Sequence, residues 1–205
     1  LSDNTMIVGL SVIVATGTKH KELKLNTKDI YYCATCDGPL FKNKNVFVVG
    51  SGNTGATYAL ELATYCKTVH ICDISKDMLC EKALQKRIAN TKNIFWYAST
   101  SIKEVQNKSN ALNAVVLTDD TIIKCNAIFS AIGMIPQTEF VASLVNVDEK
   151  NYIIADKNLG TSVPGLFIAG DCRAKKIKQI TTACSDGTIA GIAAVNFVNS
   201  LNNIV

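Results

Sequence analysis

The sequence predicts an α/β protein with two Rossmann-like, three-layer dinucleotide-binding domains, of which one is incomplete in this chain. Three observations predict this fold class. Strands and helices alternate through the first half of the chain. A glycine-rich turn, Gly50-Ser51-Gly52-Asn53-Thr54-Gly55, joins a strand to a helix. Two other strands end at Thr16-Gly17 and Gly170-Asp171, which is typical of the far half of a second such domain.

Length and composition exclude several classes of protein. With 205 residues, 48% hydrophobic and 19% charged, the chain can bury a core, which excludes a disordered or fibrous protein. A net charge of +4 is too balanced for nucleic-acid binding, and no apolar run approaches the roughly 18 residues of a membrane span. No secretory signal is visible, so we expect a cytoplasmic protein without nucleic-acid or membrane partners. Because the chain starts at Leu1 close to a strand-like pattern, we also expect it to begin within a larger protein.

The elements of the first half follow from hydrophobic periodicity. A strand, a helix and a second strand form a βαβ unit, which predicts a parallel sheet. The predicted elements are strand 11–15, a lysine-rich connector that ends at residue 29, strand 45–49, helix 53–66, strand 68–72 and helix 78–89.

The second half begins with short strands separated by polar turns, which predicts an antiparallel meander beside the parallel sheet. The meander strands are 94–97, 101–106, 111–117, 121–124 and 127–132. After a loop-rich segment we expect a hairpin at 151–156, a strand at 166–169 and a terminal helix at 179–199.

Cys33-Ala34-Thr35-Cys36 is the strongest candidate for redox chemistry. Two residues between the cysteines permit an easily reduced disulfide, and the pairing lowers the pKa of one thiol. The alternative is a zinc site, but no second CxxC is present and His20 and His70 are not at metal spacing. We therefore expect no metal. Asp37 is a candidate proton donor or acceptor, or alternatively forms an Asx turn with Gly38.

Two other groups of residues carry weaker signals. Five cysteines lie in helix or strand patterns and are predicted to be buried, inert thiols: Cys66, Cys72, Cys80, Cys125 and Cys184. The position of Cys172 after Gly170-Asp171 favours a redox role somewhat more. The basic residues Arg173, Lys175, Lys176 and Lys178 form either a solvated face or a surface that steers an acidic partner.

The glycine-rich turn predicts a nicotinamide-nucleotide site. Gly50 allows the tight turn, and Gly52 lets the backbone approach a pyrophosphate. Asn53 and Thr54 begin a helix whose N–H groups and dipole favour phosphate. The alternative is a tight strand-to-helix turn without a ligand.

Asp73 indicates which nucleotide would bind. It lies 23 positions after Gly50 (73 minus 50) and ends the next strand, where an acidic residue binds the ribose 2′-hydroxyl of NAD. A 2′-phosphate would be repelled there, and Ile74 and Ser75 offer no guanidinium to hold one. Asp73, Ile74 and Ser75 therefore favour NADH over NADPH if a nicotinamide nucleotide binds.

Electron flow from a nicotinamide to a dithiol predicts a flavin, because a flavin passes the two electrons of a hydride on to a dithiol. The chain lacks the second glycine-rich turn that FAD would need. The two strand ends and the start of the last helix remain as candidate contacts. These residues are Thr16, Gly17, Gly170, Asp171, Lys178, Gln179 and Ile180. Gly170-Asp171 is alternatively only a helix-entry turn.

In this order and spacing, the motifs resemble the low-molecular-weight thioredoxin reductases and the related flavoprotein subunit of alkyl hydroperoxide reductase. The resemblance covers nearly the whole chain and includes Ala131-Ile132-Gly133 with Pro136, and Val163-Pro164-Gly165-Leu166-Phe167. It implies a discontinuous FAD domain, residues 1–29 and 134–205, interrupted by a nicotinamide-type domain, residues 30–133, that carries the CxxC. The family's N-terminal FAD-pyrophosphate motif, in roughly a third of the expected protein, is absent.

The resemblance also implies roles for individual residues. Cys33 corresponds to the thiol that attacks the thioredoxin disulfide, Cys36 to the one that faces the flavin, and Asp37 to the acid that handles the proton. Ile132 and Gly133 belong to the nicotinamide-nucleotide site. The implied protein is a homodimeric thioredoxin-disulfide reductase in which electrons pass through FAD to the dithiol and on to thioredoxin.

The sequence departs from the family at the electron donor. Ile74, Ser75 and Leu79 replace three arginines of the NADPH-dependent members, which disfavours NADPH. Asp73 is similar to the acid of the NADH-using branch, whereas loss of the arginines also suits the branch reduced by ferredoxin without a nicotinamide. Three alternatives stay open: a ferredoxin-dependent flavin thioredoxin reductase, an NADH-dependent peroxiredoxin reductase flavoprotein, and a non-enzymatic nucleotide-binding or zinc-thiol module.

Overall fold

The structure, a computed structural model, describes residues 5–202. Its strands are β1 (Val12–Val14), β2 (Thr18–His20), β3 (Ile30–Tyr31), β4 (Asn45–Val49), β5 (Thr68–Cys72), β6 (Ile94–Tyr97), β7 (Ile102–Lys108), β8 (Ala111–Leu117), β9 (Ile122–Lys124), β10 (Ala127–Ser130), β11 (Met134–Pro136) and β12 (Leu166–Ile168). Its α-helices are α1 (Ala34–Asp37), α2 (Asn53–Leu62), α3 (Lys82–Ala89) and α4 (Ile180–Asn202). Across residues 5–202, no helix combines the length and the hydropathy that crossing a membrane requires.

The chain divides into two compact units. Within the described residues, unit 1 comprises residues 5–19 and 134–202, and unit 2 comprises His20–Gly133. The sequence prediction placed residues 20–29 in the first of these, but they pack in unit 2. Leu23 and Leu25 contact its core, and the Asp29 carboxylate accepts a hydrogen bond from the backbone N–H of Leu112 at 2.7 Å.

Unit 2 has the three layers that the alternating pattern predicts. Five parallel strands form its central sheet in the order β3-β10-β4-β5-β6. Successive residues of β4 face opposite layers, because side chains alternate along a strand. Val46 and Val48 pack in the core that α2 and α3 cover, while Phe47 and Val49 pack against the antiparallel sheet β7-β8-β9.

Two strands of the predicted meander are parallel members of the central sheet instead. β6 pairs with β5, and β10 lies between β3 and β4. Every residue of β10 is buried, which is typical of a central parallel strand and leaves no polar alternation to reveal its partners. The antiparallel sheet consists of β7, β8 and β9.

The helix α3 begins at Lys82, four residues later than predicted, because the preceding loop folds back onto the glycine turn. The backbone N–H of Leu79 donates to Oγ of Ser51 at 3.2 Å, and that of Glu81 donates to Oδ1 of Asn53 at 2.9 Å. These hydrogen bonds compete with helical geometry in residues 78–81. The loop is therefore fastened to the start of α2.

Unit 1 is built around two small parallel strands and one long helix. β1 pairs with β12, and β11 pairs with β2. The long helix α4 packs on β12 through a cluster that includes Phe167 and Ala190, while Ile168 packs in a second cluster with Val14. The hairpin predicted at 151–156 is not a pair of strands, since Ile153 forms isolated bridges with both Val147 and Arg173.

Candidate functional site

Cys33 and Cys36 form a disulfide in unit 2, with their Cα atoms 5.3 Å apart. Cys33 caps the N-terminus of α1, and its Sγ accepts a hydrogen bond from the backbone N–H of Cys36 at 3.1 Å. Cys33 is half-buried and Cys36 is exposed. An N–H that donates to sulfur stabilises a thiolate, so the geometry favours Cys33 as the attacking thiol after reduction.

Asp37 follows the disulfide and lies near the phenol of Tyr31. Burial raises the pKa of Tyr31, and the negative charges of Asp29 and Asp37 raise it further. The backbone N–H of Asp37 donates to the carbonyl of Cys33 at 3.1 Å, which fixes its place directly beside the disulfide. A carboxylate in this position can exchange a proton with a neighbouring thiol.

The carboxyl ends of β4, β5 and β10 lie side by side in the central sheet of unit 2. β5, the strand that follows β4 in the chain, pairs with one edge of β4, and β10 pairs with the opposite edge. The strand order of the sheet therefore reverses direction at β4. Open α/β sheets bind dinucleotides at such a switch point. Gly50 follows β4, Asp73 follows β5, and Ile132 and Gly133 lie just beyond β10. The structure therefore brings the predicted nucleotide-site residues together.

Packing explains why two glycines of the turn, Gly50 and Gly55, cannot carry a side chain, but it does not explain Gly52. Gly50 has a φ of +105°, and a Cβ there would lie 2.6 Å from the carbonyl oxygen of Ala131. A Cβ on Gly55 would overlap the carbonyl oxygen of Gly50. Gly52 has a φ of −66° and nothing within 4 Å of its Cβ position, so the fold itself gives no reason for a glycine. An open glycine at a helix N-terminus is what a bound pyrophosphate requires.

The first residues of α2 are exposed beside this open position. Thr54 is exposed, and Asn53 exchanges two hydrogen bonds with Glu81. Its amide Nδ2 donates to the Glu81 carboxylate at 3.1 Å, so the Asn53 side chain is held by the chain itself. Contact with a phosphate at this point would come from backbone N–H groups.

Asp73 is held by three hydrogen bonds from its own chain. Its Oδ2 accepts from the N–H and the hydroxyl of Ser51 at 2.7 and 2.9 Å, and its Oδ1 accepts from the N–H of Ser75 at 3.0 Å. Burial raises the pKa of Asp73, but the hydrogen bonds from Ser75 and Ser51 outweigh burial and hold it below its usual value. Oδ1 retains one acceptor position. The carboxylate is therefore charged and able to accept a ribose hydroxyl.

A shallow cavity of about 360 Å³ lies in unit 1 at the ends of its two parallel strands. It is lined by Ala15, Gly17, Thr18, Ala169, Gly170, Asp171, Ala183 and Gly187. Gly17 and Gly170 have φ values of +67° and +77°, which glycine adopts readily. Oδ1 of Asp171 is buried without a hydrogen-bond partner among the described residues, and Nζ of Lys175 is 3.8 Å away. Small residues around a carboxylate oxygen that lacks a hydrogen bond fit the ribityl hydroxyls of FAD.

The other predicted flavin contacts do not line this cavity. Thr16 donates its hydroxyl to the carbonyl of Gln137. Lys178 donates to the carbonyls of Asp171 and Arg173 at 2.8 and 3.0 Å and lies 3.8 Å from the ring centre of Tyr152. Lys178 therefore shapes the backbone of the turn. The last two predicted flavin contacts, Gln179 and Ile180, are exposed at the start of α4.

Asp186 is the residue next to this cavity that sequence reasoning missed. It is 5% exposed and accepts hydrogen bonds from the N–H of Gly170 at 3.1 Å, from Arg173 at 3.0 Å and from Lys175 at 2.8 Å. Burial raises the pKa of Asp186, but the hydrogen bonds and charges of Arg173 and Lys175 outweigh burial and lower it. The prediction that Arg173 and Lys175 belong to a solvated or partner-steering surface was wrong, because both pair with Asp186. Lys176, from the same predicted surface, is exposed. The available signal was that Asp186 is the single charged residue in the α4 sequence.

The sequence pattern of the family described as pyridine nucleotide-disulphide oxidoreductase matches residues 3–187 of this chain. The match covers well over half of the chain and includes the disulfide, the glycine turn and the cavity. This chain belongs to that family. Among curated relatives, the thioredoxin reductase of Ureaplasma parvum is 36% identical over 98% of this chain and 69% of its own length. The thioredoxin reductase of Treponema pallidum is 34% identical over 95% of this chain and 66% of its own length.

Solved thioredoxin reductases of this family share the fold. That of Lactococcus lactis matches with a TM-score of 0.78 and 30% identity, covering 93% of this chain and 66% of that protein. That of T. acidophilum matches with a TM-score of 0.77 and 33% identity, with the same coverage. The predicted α/β fold and the resemblance to thioredoxin reductases are confirmed. The chain spans about two thirds of the length of these relatives.

Proposed function

We propose that this chain carries the dithiol part of a flavin-dependent disulfide reductase that acts on thioredoxin. The observation that carries the proposal is the Cys33–Cys36 disulfide, in which Cys33 is half-buried and Cys36 is exposed, in the same unit as a nucleotide-type glycine turn. The relatives described as thioredoxin reductases support thioredoxin as the substrate.

The chain's own residues supply the thiol chemistry. In the reduced form, the Cys33 thiolate attacks one sulfur of the substrate disulfide, whose S–S bond breaks as a mixed disulfide forms. Cys36 then attacks Sγ of Cys33, which releases the second substrate thiol and forms the Cys33–Cys36 bond again. Two electrons and two protons pass to the substrate. Asp37, beside Cys36, relays one of these protons.

The cavity of unit 1 would hold FAD, which supplies a two-electron relay between the donor and the disulfide when bound. Gly17 and Gly170 leave room for a ligand at the strand ends, and Oδ1 of Asp171 would accept a hydrogen bond from a hydroxyl of the ribityl chain. Asp186 keeps the Gly170 turn in place through its hydrogen bond to the Gly170 N–H.

We infer that the electron donor is NADH. The Asp73 carboxylate stays ionised and keeps an acceptor position for a ribose hydroxyl, while its charge repels a 2′-phosphate. Ile74 is exposed where a cation would have to hold that phosphate. The open Gly52 position supports a nucleotide over the ferredoxin alternative, because packing does not explain its missing side chain.

The dithiol step is tested by single-turnover exchange. The chain is reduced with dithiothreitol, desalted and mixed with oxidised thioredoxin, and the thiols of both proteins are counted. We expect transfer of two electrons per chain in the wild type, none in Cys33→Ser, and a trapped mixed disulfide in Cys36→Ser, because this variant keeps the attacking thiol alone. Cys184→Ser, which removes an exposed free thiol on α4, serves as the control and should match the wild type. Transfer at the wild-type rate by Cys33→Ser would contradict the proposal.

The donor is tested by calorimetric titration with NADH and NADPH. We expect NADH to bind at least about ten-fold more tightly than NADPH, a difference of roughly 1.4 kcal/mol. The variant Asp73→Ser with Ile74→Arg and Ser75→Arg should reverse this preference, since it replaces a repelling charge with two guanidinium groups. Asp77→Asn removes an exposed charge from the same loop and should leave the preference unchanged. Tighter binding of NADPH, or binding of neither nucleotide, would overturn the inference.

A further inference from the structure

Three side chains of α2 and the turn after it contact the loop that carries the disulfide. Tyr58, Glu61 and Tyr65 are spaced three and four residues apart, which places them on one side of helical backbone. α2 begins at the glycine turn and ends at Leu62, and Tyr65 lies in the following turn. We call these three side chains the α2 clamp.

The clamp contacts the loop on both sides of Cys33. The hydroxyl of Tyr58 donates to the carbonyl of Tyr32 at 2.6 Å, and that of Tyr65 donates to the carbonyl of Ala34 at 3.4 Å. The hydroxyl of Thr35 donates to the carboxylate of Glu61 at 2.9 Å. The hydrogen bonds thus hold the residue before Cys33 and both residues between the two cysteines.

The surroundings of the clamp support these contacts. Burial raises the pKa of Tyr58 and of Tyr65, and the charge of Glu61 raises both further, so the phenols stay protonated as donors. Gly38 follows the disulfide loop, and a Cβ there would overlap the hydroxyl of Tyr65. The close approach of Tyr65 to the loop therefore depends on a glycine at this position.

We propose that Tyr58, Glu61 and Tyr65 are positioning residues that hold the reduced loop in the geometry of the disulfide and so set the dithiol–disulfide equilibrium. This rests on the proposed function, in which Cys33 and Cys36 alternate between the two forms. In the oxidised chain the S–S bond itself restrains the loop. In the reduced chain that restraint is gone, and the hydrogen bonds of the clamp keep the two sulfurs close.

Loss of the clamp therefore favours the dithiol, since the reduced loop gains conformational freedom that the disulfide form lacks. For Tyr58→Phe, which removes only the hydroxyl, we expect the equilibrium to move about five-fold toward the dithiol, or about 20 mV toward less negative potential. Thr35→Val removes the hydrogen bond to Glu61 from an exposed position and should move the equilibrium about two-fold in the same direction.

The equilibrium is measured on the 205-residue chain in dithiothreitol redox buffers, with the free thiols of Cys33 and Cys36 trapped by alkylation and identified by mass spectrometry. Tyr97→Phe is the matched control, because it removes a phenol that lies 3.1 Å from Nδ1 of His70 in the same unit but away from the loop. We expect this control to titrate like the wild type. Thermal unfolding of each variant confirms that it is folded.

The possible outcomes separate the two proposals. If Cys33 and Cys36 of the wild type do not titrate together as a two-electron couple, the proposed function fails and the clamp fails with it. If the wild type titrates as a couple but Tyr58→Phe and Thr35→Val coincide with Tyr97→Phe, the clamp proposal alone is overturned. A shift toward the disulfide in the clamp variants overturns it as well.

Discussion

Cysteine burial separates the reactive pair from the other thiols. Burial raises the pKa of Cys66 to about 11 and that of Cys72 and Cys125 to about 12, so these thiols stay protonated and unreactive. The prediction of buried cysteines is confirmed for these three and for Cys80, but it was wrong for Cys184, which is exposed on α4.

Within residues 5–202, no group of three or more His, Cys, Asp or Glu side chains could hold a metal ion.

Cys172 is a structural residue in this fold. It is fully buried, and its thiol donates to the carbonyl of Ala169 at 3.3 Å. The redox role that its position after Gly170-Asp171 favoured finds no support in this environment, because an attacking thiolate needs access and stabilisation of its charge.

Removal of the Asp186 charge should destabilise unit 1. Asp186→Asn leaves Arg173 and Lys175 without their shared carboxylate, and we expect a loss of about 2–4 kcal/mol in the free energy of unfolding. The measurement is urea denaturation followed by circular dichroism at pH 7. Glu139→Gln, which breaks the exposed pair with Lys19, is the control and should leave the midpoint unchanged.

The same carboxylate predicts a pH dependence. The folded-state pKa of Asp186 is lowered, so its stabilisation is fully present above the unfolded value of about 3.9 and is lost as pH falls through the folded value. The difference in unfolding free energy between wild type and Asp186→Asn should therefore shrink below about pH 4. A difference that stays constant down to pH 2 would contradict this assignment.

Among the elements, α2 links the two parts of the site in unit 2. Its first turn begins directly after the open Gly52 position. Tyr58 lies farther along the same helix and contacts the disulfide loop. The glycine motif was predictable because a strand, a tight turn and a helix leave a local signature. The contact between Tyr58 and Tyr32 was not, because the two residues lie 26 positions apart and meet only in the folded chain.

For β4, β5, β6 and β10, the starting residues were predictable from the sequence but the pairing partners of β6 and β10 were not. The strands β4 and β5 were predicted with their observed bounds, since each is a short apolar run between polar turns. β6 and β10 were placed with correct starting residues but wrong partners. In β10, burial on both faces removes the alternation that would distinguish a parallel central strand from a meander strand.

At the scale of the whole molecule, the two units differ in how well their sheets are covered. The strands β4, β5 and β10 each pair on both sides and are packed between two layers. In unit 1, β1 pairs with β12 alone within the described residues, and Val12 and Ile13 are 53% and 41% exposed. Backbone hydrogen bonds near solvent open more easily than those of a covered sheet.

Hydrogen exchange should therefore distinguish the two units. We expect the amides of β4 and β5 to exchange at least about ten-fold more slowly than those of β1 and β12, measured by mass spectrometry of the native chain. Slower exchange in β1 than in β4 would show that the stability of the sheets does not follow their coverage.

The sequence by itself determined the features that depend on local spacing. Cys33 and Cys36, the glycine turn and the βαβ unit are each encoded within a short stretch of chain, as is the placement of Asp73 at a strand end. Only the tertiary structure decided which groups meet across the chain: the hydrogen bonds that hold Asp73, the ions around Asp186 and the partners of β6 and β10. The physical reason is that hydrogen bonding, burial and pKa depend on neighbours that folding brings together, and local sequence does not specify those neighbours.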